Sequence, residues 1–177
     1  MSDAELTIWT IGHSSRTLDE FLELLTVNAI EALADVRRFP GSRKYPHFNP
    51  DALCAALQGV GIEYVPLPEL GGRRRPRPDS HNTAWRNESF RGYADYMETA
   101  AFHTGIERLL ELARRKRTVI MCSEAVWWRC HRSLIADYLQ SIGVCVRHIL
   151  SRSHSEVHPY TSAAHFAHGK LSYVAEA

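Results

Sequence analysis

From residue 6 to residue 150 the sequence alternates between short apolar runs rich in β-branched residues and longer stretches whose apolar residues recur at helical spacing. This alternation leaves few folds open, because parallel strands need a crossover and a helix supplies it. LTIWTI (6–11), EALADV (31–36), IEYVPL (62–67), TVIM (118–121) and VCVRHIL (144–150) read as strands. Thr17 and Glu20 have the spacing of a capping box, and Leu18, Phe21, Leu22 and Leu25 carry a helix from there to about Asn28. Asn49 followed by Pro50 opens a second helix that closes at Gly59 and Gly61. Phe90, Tyr93, Ala94, Met97 and Ala101 form a third stripe, HTGIERLLELARRK a fourth, and RSLIADYLQSIG a fifth with Gly143 at its C-terminus. The expected fold is a three-layer α/β domain with a mainly parallel sheet of about five strands flanked by helices. Residues 150–177 are weakly periodic and are expected to form a mobile or surface tail, its histidines 154, 158, 165 and 168 irregularly spaced.

At 177 residues with no linker-like segment, the chain is expected to form one domain spanning 1–177. A hydrophobic fraction of 45% with 23% charged residues is that of a water-soluble globular protein. No apolar run approaches the roughly 20 residues of a membrane span. The start, MSDAELTIWTIGH, is acidic where an export signal is basic, so a cytoplasmic location is expected. Four cysteines without a CxxC pair predict thiols rather than a disulfide framework, with Cys54 and Cys145 packing in apolar elements. A net charge of +1 gives no global attraction to nucleic acid or anionic lipid. Nothing in the sequence sets an oligomeric state. The loop PELGGRRRPRPDSHNTAWRNE nevertheless places five arginines between Arg73 and Arg86 against one carboxylate, Asp79. A loop of that length is functional or disordered. The cations of RRKR (114–117), by contrast, complement the dipole at a helix C-terminus.

In an open parallel sheet, ligands bind beyond the carboxyl ends of the strands. Each predicted strand is followed there by chemically capable residues: Gly12-His13-Ser14, then Asp35-Val36-Arg37-Arg38 with Ser42 beyond, then Gly71-Gly72-Arg73, then Cys122-Ser123-Glu124. The opposite ends carry turn residues such as Gly59-Val60-Gly61. Cys130, His131 and Arg132 open the last long helix, where free N–H groups and the positive end of the dipole attract anions and lower a thiol's pKa. Candidate catalytic residues are Cys122, His13, Glu124, Asp35 and His131, with Cys122 as nucleophile and His131 as its base. Candidate substrate-binding residues are Ser14, Arg37, Ser42, Gly71, Gly72, Arg73, Cys130 and Arg132.

Structural roles compete with these. Cys122 can be a buried strand cysteine, Glu124 a salt-bridge partner of Arg129 or Arg132, and His13 a tie between its loop and a backbone carbonyl. Trp127 and Trp128 suit a lid or packing wedge. A metal set drawn from Cys122, Cys130, His131 and His13 has acceptable ligand types, but seven residues between the cysteines is not zinc-finger spacing, and neither metal nor cofactor is expected. The arginine loop is either solvated and partner-facing or an electrostatic funnel for a phosphorylated ligand or nucleic acid, with Trp85 and Phe90 available for stacking.

The segments GHS (12–14), DVR (35–37), PGSRKYPHF (40–48), LGG (70–72) and the bipartite CSE and CHR (122–124 and 130–132) together resemble the family catalogued as domain of unknown function 488, over about residues 7–149. The resemblance implies an α/β fold and a shared residue set: the site residues named above other than Arg73, together with Phe48. It implies no reaction. The 150–177 tail lies outside it. A second likeness is to rhodanese and cysteine-phosphatase domains, in which a strand ends in a cysteine and an arginine opens the next helix. Here six residues separate Cys122 from Arg129 where a cysteine phosphatase has five, and Glu124 lies among them. The leading expectation is a thiol- or histidine-dependent enzyme, a hydrolase or transferase, acting on an anionic, phosphate-bearing substrate such as a nucleotide or nucleic acid. Its rivals are a non-catalytic nucleic-acid or partner-binding module built on Arg73, Arg74 and Arg75, and a satisfied polar network that pins four loops.

Overall fold

The computed structural model describes residues 6–176. Strands β1 (Thr7–Gly12), β2 (Ala32–Asp35), β3 (Glu63–Pro66), β4 (Thr118–Cys122), β5 (Cys145–Ser151) and β6 (His154–Val157) form one sheet in the order β3-β2-β4-β1-β5-β6. The first five pair in parallel, and β6 returns antiparallel along β5. Helices α1 (Leu18–Val27) and α2 (Pro50–Gly59) cover one face, and α3 (Glu88–Tyr96), α4 (Ala100–Arg115) and α5 (Arg132–Ser141) cover the other.

The strands read as continuous apolar runs because both faces are buried. Successive residues divide between two cores: Ile8, Ala34 and Ile120 pack toward α3–α5, whereas Trp9, Leu33 and Met121 pack toward α1 and α2. Local signals set most boundaries. The Thr17 side chain accepts from the Glu20 backbone N–H, as half of a capping box does. Gly143 follows α5 at φ +93°, a conformation with little steric cost for glycine. Asn49 behaves differently: it precedes α2, but its Oδ1 accepts from Ser42 N–H at 2.6 Å instead of capping the helix.

The tail departs from expectation. It adds β6 to the sheet and a hairpin of β7 (His165–Ala167) and β8 (Lys170–Ser172). His158 is buried and donates from Nε2 to Asp137 Oδ1 at 2.8 Å. Asp137, on α5, also accepts from Thr161 N–H, Thr161 Oγ1 and Tyr173 OH, so a buried carboxylate on α5 is what orders the tail. The arginine loop is likewise held, by Asp95, which accepts from Arg77 N–H, Ser80 Oγ and Asn82 Nδ2. Among the described residues no helix is long and apolar enough to cross a membrane.

Candidate functional site

The carboxyl ends of β1, β2 and β4 open into a cleft of about 640 Å³. Its floor is a junction between β1 and β4 that continues past the strands: His13 N–H donates to Cys122 O at 2.9 Å and Ser14 N–H to Ser123 O at 3.0 Å. This approach requires glycine at position 12, where a Cβ would stand 1.6 Å from Glu124 O. Gly72 meets a similar demand, since a Cβ there would lie 2.8 Å from His131 Nδ1.

The two sulfurs of the bipartite signature meet at the back of the cleft, with Cys122 Sγ and Cys130 Sγ 3.0 Å apart. Cys130 Sγ also accepts from Arg132 N–H and Arg132 Nε, both at 3.3 Å. The first N–H of α5 therefore meets the chain's own sulfur. Burial opposes ionisation of Cys130, but the hydrogen bond from Cys122, the Arg132 guanidinium and His131 outweigh it and bring the thiol well below its ordinary range. Burial, the hydrogen bond to Cys130 and the charge on that sulfur push Cys122 well up. The surroundings therefore favour ionisation of Cys130 and oppose that of Cys122. Cys130, expected to bind, is thus the sulfur whose ionisation its surroundings favour, and Cys122, expected to attack, is the one whose ionisation they oppose.

Arg132, expected to bind substrate, is not among the residues that line the cleft. It is 1% exposed, and besides Cys130 it donates from Nη1 to Thr10 Oγ1 at 3.1 Å and from Nη2 to Glu124 O at 2.7 Å. A buried guanidinium bound in this way fixes the thiolate and the loop after β4 together. Glu124 itself lines the cleft. His131 donates from Nε2 to Val36 O at 2.8 Å, so the ring bridges the loop after β2 to the start of α5.

His13 also lines the cleft, stacked on Phe48 at 4.4 Å between ring centroids. Its Nδ1 meets Ser14 O at 2.9 Å, the structural tie anticipated from the sequence, which leaves Nε2 without a protein partner in a ring that lines the cleft. Burial, opposed by the Ser14 bond and assisted by the charge of Arg37, lowers His13 to about 4. The imidazole is therefore neutral near pH 7, in a ring that lines the cleft.

Asp35 lies behind the lining and is not itself part of it. Its carboxylate accepts from Arg37 N–H at 3.1 Å, Arg37 Nε at 2.9 Å, Arg37 Nη2 at 2.7 Å and Tyr64 OH at 2.6 Å. These bonds occupy the carboxylate and aim Arg37, which does line the cleft. Asp35 is thereby an orienting group for a cation. Ser42 also lines the cleft and shapes the loop that carries it, its Oγ accepting from Tyr45 N–H at 3.1 Å. Gly71 packs under Arg38, where a Cβ would stand 2.6 Å from the Arg38 Cβ.

The cleft also contains residues that were not among the candidate catalytic or substrate-binding residues. Arg38, Lys44 and Arg129 join Arg37 and Arg73 along its walls, and Glu124 is the one carboxylate among the lining residues. Phe39 stands 61% exposed, with Arg38 5.2 Å and Arg73 5.8 Å from its ring centroid. Arg38 and Arg73 also line a second groove of about 460 Å³, continued by Arg74, Arg75 and Arg77. Of the aromatics expected to stack ligands, Trp85 packs on Phe90 and Tyr173; Trp127, expected as a lid or packing wedge, is buried parallel to His148 at 4.6 Å. Phe90 still reaches the cleft.

Thr10 leads away from the cleft into a polar chain. His148 Nδ1 meets Thr10 Oγ1, and His148 Nε2 meets His158 Nδ1 at 2.8 Å. From there His158 reaches Asp137, so buried hydrogen bonds connect the cysteine pair to the tail. A threonine and a histidine facing each other in adjacent apolar strands, Thr10 opposite His148, were the signal in the sequence. Among the described residues no group of three or more His, Cys, Asp or Glu is placed to hold one metal ion.

Compared with known proteins, residues 17–139 match the family model described as domain of unknown function DUF488. No curated protein and no solved structure matches the chain.

Proposed function

The chain belongs to the DUF488 family, whose description assigns no reaction, and on that premise we propose from the cleft's chemistry that it is a thiol-dependent enzyme acting on an anionic, phosphate-bearing substrate. The observation that carries the reading is the Cys130 sulfur, held by Arg132 N–H and Nε, on the wall of a cleft lined by five cations and one carboxylate. Such a cleft attracts anions and aligns them with guanidinium donors. Cys130 is the nucleophile. Neutral His13, through Nε2, accepts a proton from an attacking water or returns one to a leaving group. Arg37, aimed by Asp35 and Tyr64, holds the anionic group, and Glu124 is the remaining proton-exchanging group. The second groove favours a substrate with more than one charged group, such as a nucleotide or a nucleic-acid end.

Iodoacetamide labelling tests the nucleophile and the anion site in one experiment. Cys130 is expected to be alkylated rapidly already near pH ~6. Adenosine monophosphate, used as the probe, is expected to slow labelling in the wild type and to have no effect in Arg37→Ala. Labelling of Cys130 only with an ordinary alkaline profile, or no protection by the nucleotide, overturns the reading. A binding module without chemistry predicts a third pattern: salt-sensitive oligonucleotide binding that requires Arg73, Arg74 and Arg75, with Cys130 inert.

A further inference from the structure

Two sulfurs 3.0 Å apart in a cleft form an arrangement that nucleophilic attack does not require. A single thiolate fixed by Arg132 would suffice for that. The second thiol is placed to do what a lone nucleophile cannot, which is to capture its neighbour once that neighbour has been oxidised. The remaining cysteines, Cys54 on α2 and Cys145 on β5, have no cysteine partner and lie outside the cleft.

We propose that Cys122 and Cys130 form a reversible dithiol–disulfide couple that reduces hydroperoxides entering the cleft. It rests on the assignment of Cys130 as the reactive sulfur in the reading above. In the first step the Cys130 sulfur attacks the terminal peroxide oxygen. The O–O bond breaks, the alcohol leaves with one proton from solvent, and Cys130 becomes a sulfenic acid. In the second step the Cys122 sulfur displaces that hydroxyl, which leaves as water with the Cys122 proton, and the S–S bond forms. Two electrons pass from the two sulfurs to the peroxide. An external thiol returns them by exchange.

The surroundings make this couple easy to reverse. In the dithiol form the buried Arg132 guanidinium has a thiolate as counter-charge. The disulfide removes that charge and leaves Arg132 with only Thr10 Oγ1 and Glu124 O as acceptors. A buried cation deprived of its partner is costly. The reduced form is therefore favoured, and the disulfide is a strong oxidant that a monothiol of the glutathione class reduces. Oxidation also removes the nucleophile, so peroxide would reversibly silence the cleft.

Intact-mass and peptide analysis after treatment with stoichiometric hydrogen peroxide, with dimedone present to trap sulfenic acid, tests the proposal. The wild type is expected to lose two hydrogens, to link Cys122 to Cys130 and to show little dimedone adduct. Its iodoacetamide labelling near neutral pH should fall about tenfold and return with reduced glutathione. Cys122→Ser keeps a hydroxyl to donate to Cys130 but cannot form the bond, and is expected to accumulate the dimedone adduct at Cys130. Oxidation at Cys54 or Cys145 in place of the pair overturns the proposal, as does a wild type that retains the adduct without a cross-link. Protection by adenosine monophosphate without a cross-link sinks only this inference. A cross-link without protection sinks only the anionic-substrate reading.

Discussion

Individual side chains here do work that their neighbours make possible. His13 is neutral because its ring is buried against Phe48, and that has a consequence in acid. The unfolded chain takes up this proton near 6.5 and the native chain near 4, so between those values the unfolded state binds more protons and stability falls as pH falls. His148, lowered by burial and by the charges of His158 and Arg132, extends the loss further into acid. Urea midpoints measured from pH ~7 down to ~4 should therefore decline, and His13→Asn should flatten the decline. A flat wild-type profile would contradict the burial argument. Gly12 has a narrower role: Gly12→Ala drives a methyl into Glu124 O, and a loss of at least about 1–3 kcal/mol is expected by thermal or urea unfolding.

At the scale of elements, the helices and parallel strands were legible because their signals are local: period, caps and terminal glycines. The meeting of His13, Arg37, Cys122 and Cys130 could be expected because each follows a strand end or opens a helix on the same edge of the sheet. Which sulfur ionises could not. That depends on Arg132 folding back onto Cys130 and Thr10, a contact no spacing encodes. The tail was misread for a similar reason, since β6 to β8 are short and depend on one carboxylate of α5 for their order. The loop after β2 offers a test at this scale. Tyr64→Phe removes one of the bonds that occupy Asp35 and leaves Arg37 paired but less restrained. Nucleotide protection of Cys130 should weaken by about three- to tenfold, corresponding to a hydrogen bond of about 1 kcal/mol, while the fold persists. Undiminished protection would show that Asp35 and Arg37 need no support from β3.

Across the whole molecule, residues 158–173 and the cleft share one hydrogen-bonded interior. Asp137→Ala leaves His158, Thr161 and Tyr173 without their acceptor, and a loss of about 3–5 kcal/mol with early proteolysis of β6 to β8 is expected. If the chain through His158, His148 and Thr10 also steadies Arg132, the same variant should shift the alkylation profile of Cys130 upward in pH. A purely structural tail would leave that profile in place. The stretch that identifies the family, residues 17–139, contains neither β1 nor β5, yet β1 lies between β4 and β5 and supplies the backbone that closes on the loop after Cys122. A gene product trimmed to that signature would lose β1, β5 and β6, one half of the six-stranded sheet. It would expose the flank of β4 as a raw pairing edge and would be expected to precipitate before any chemistry could be assayed.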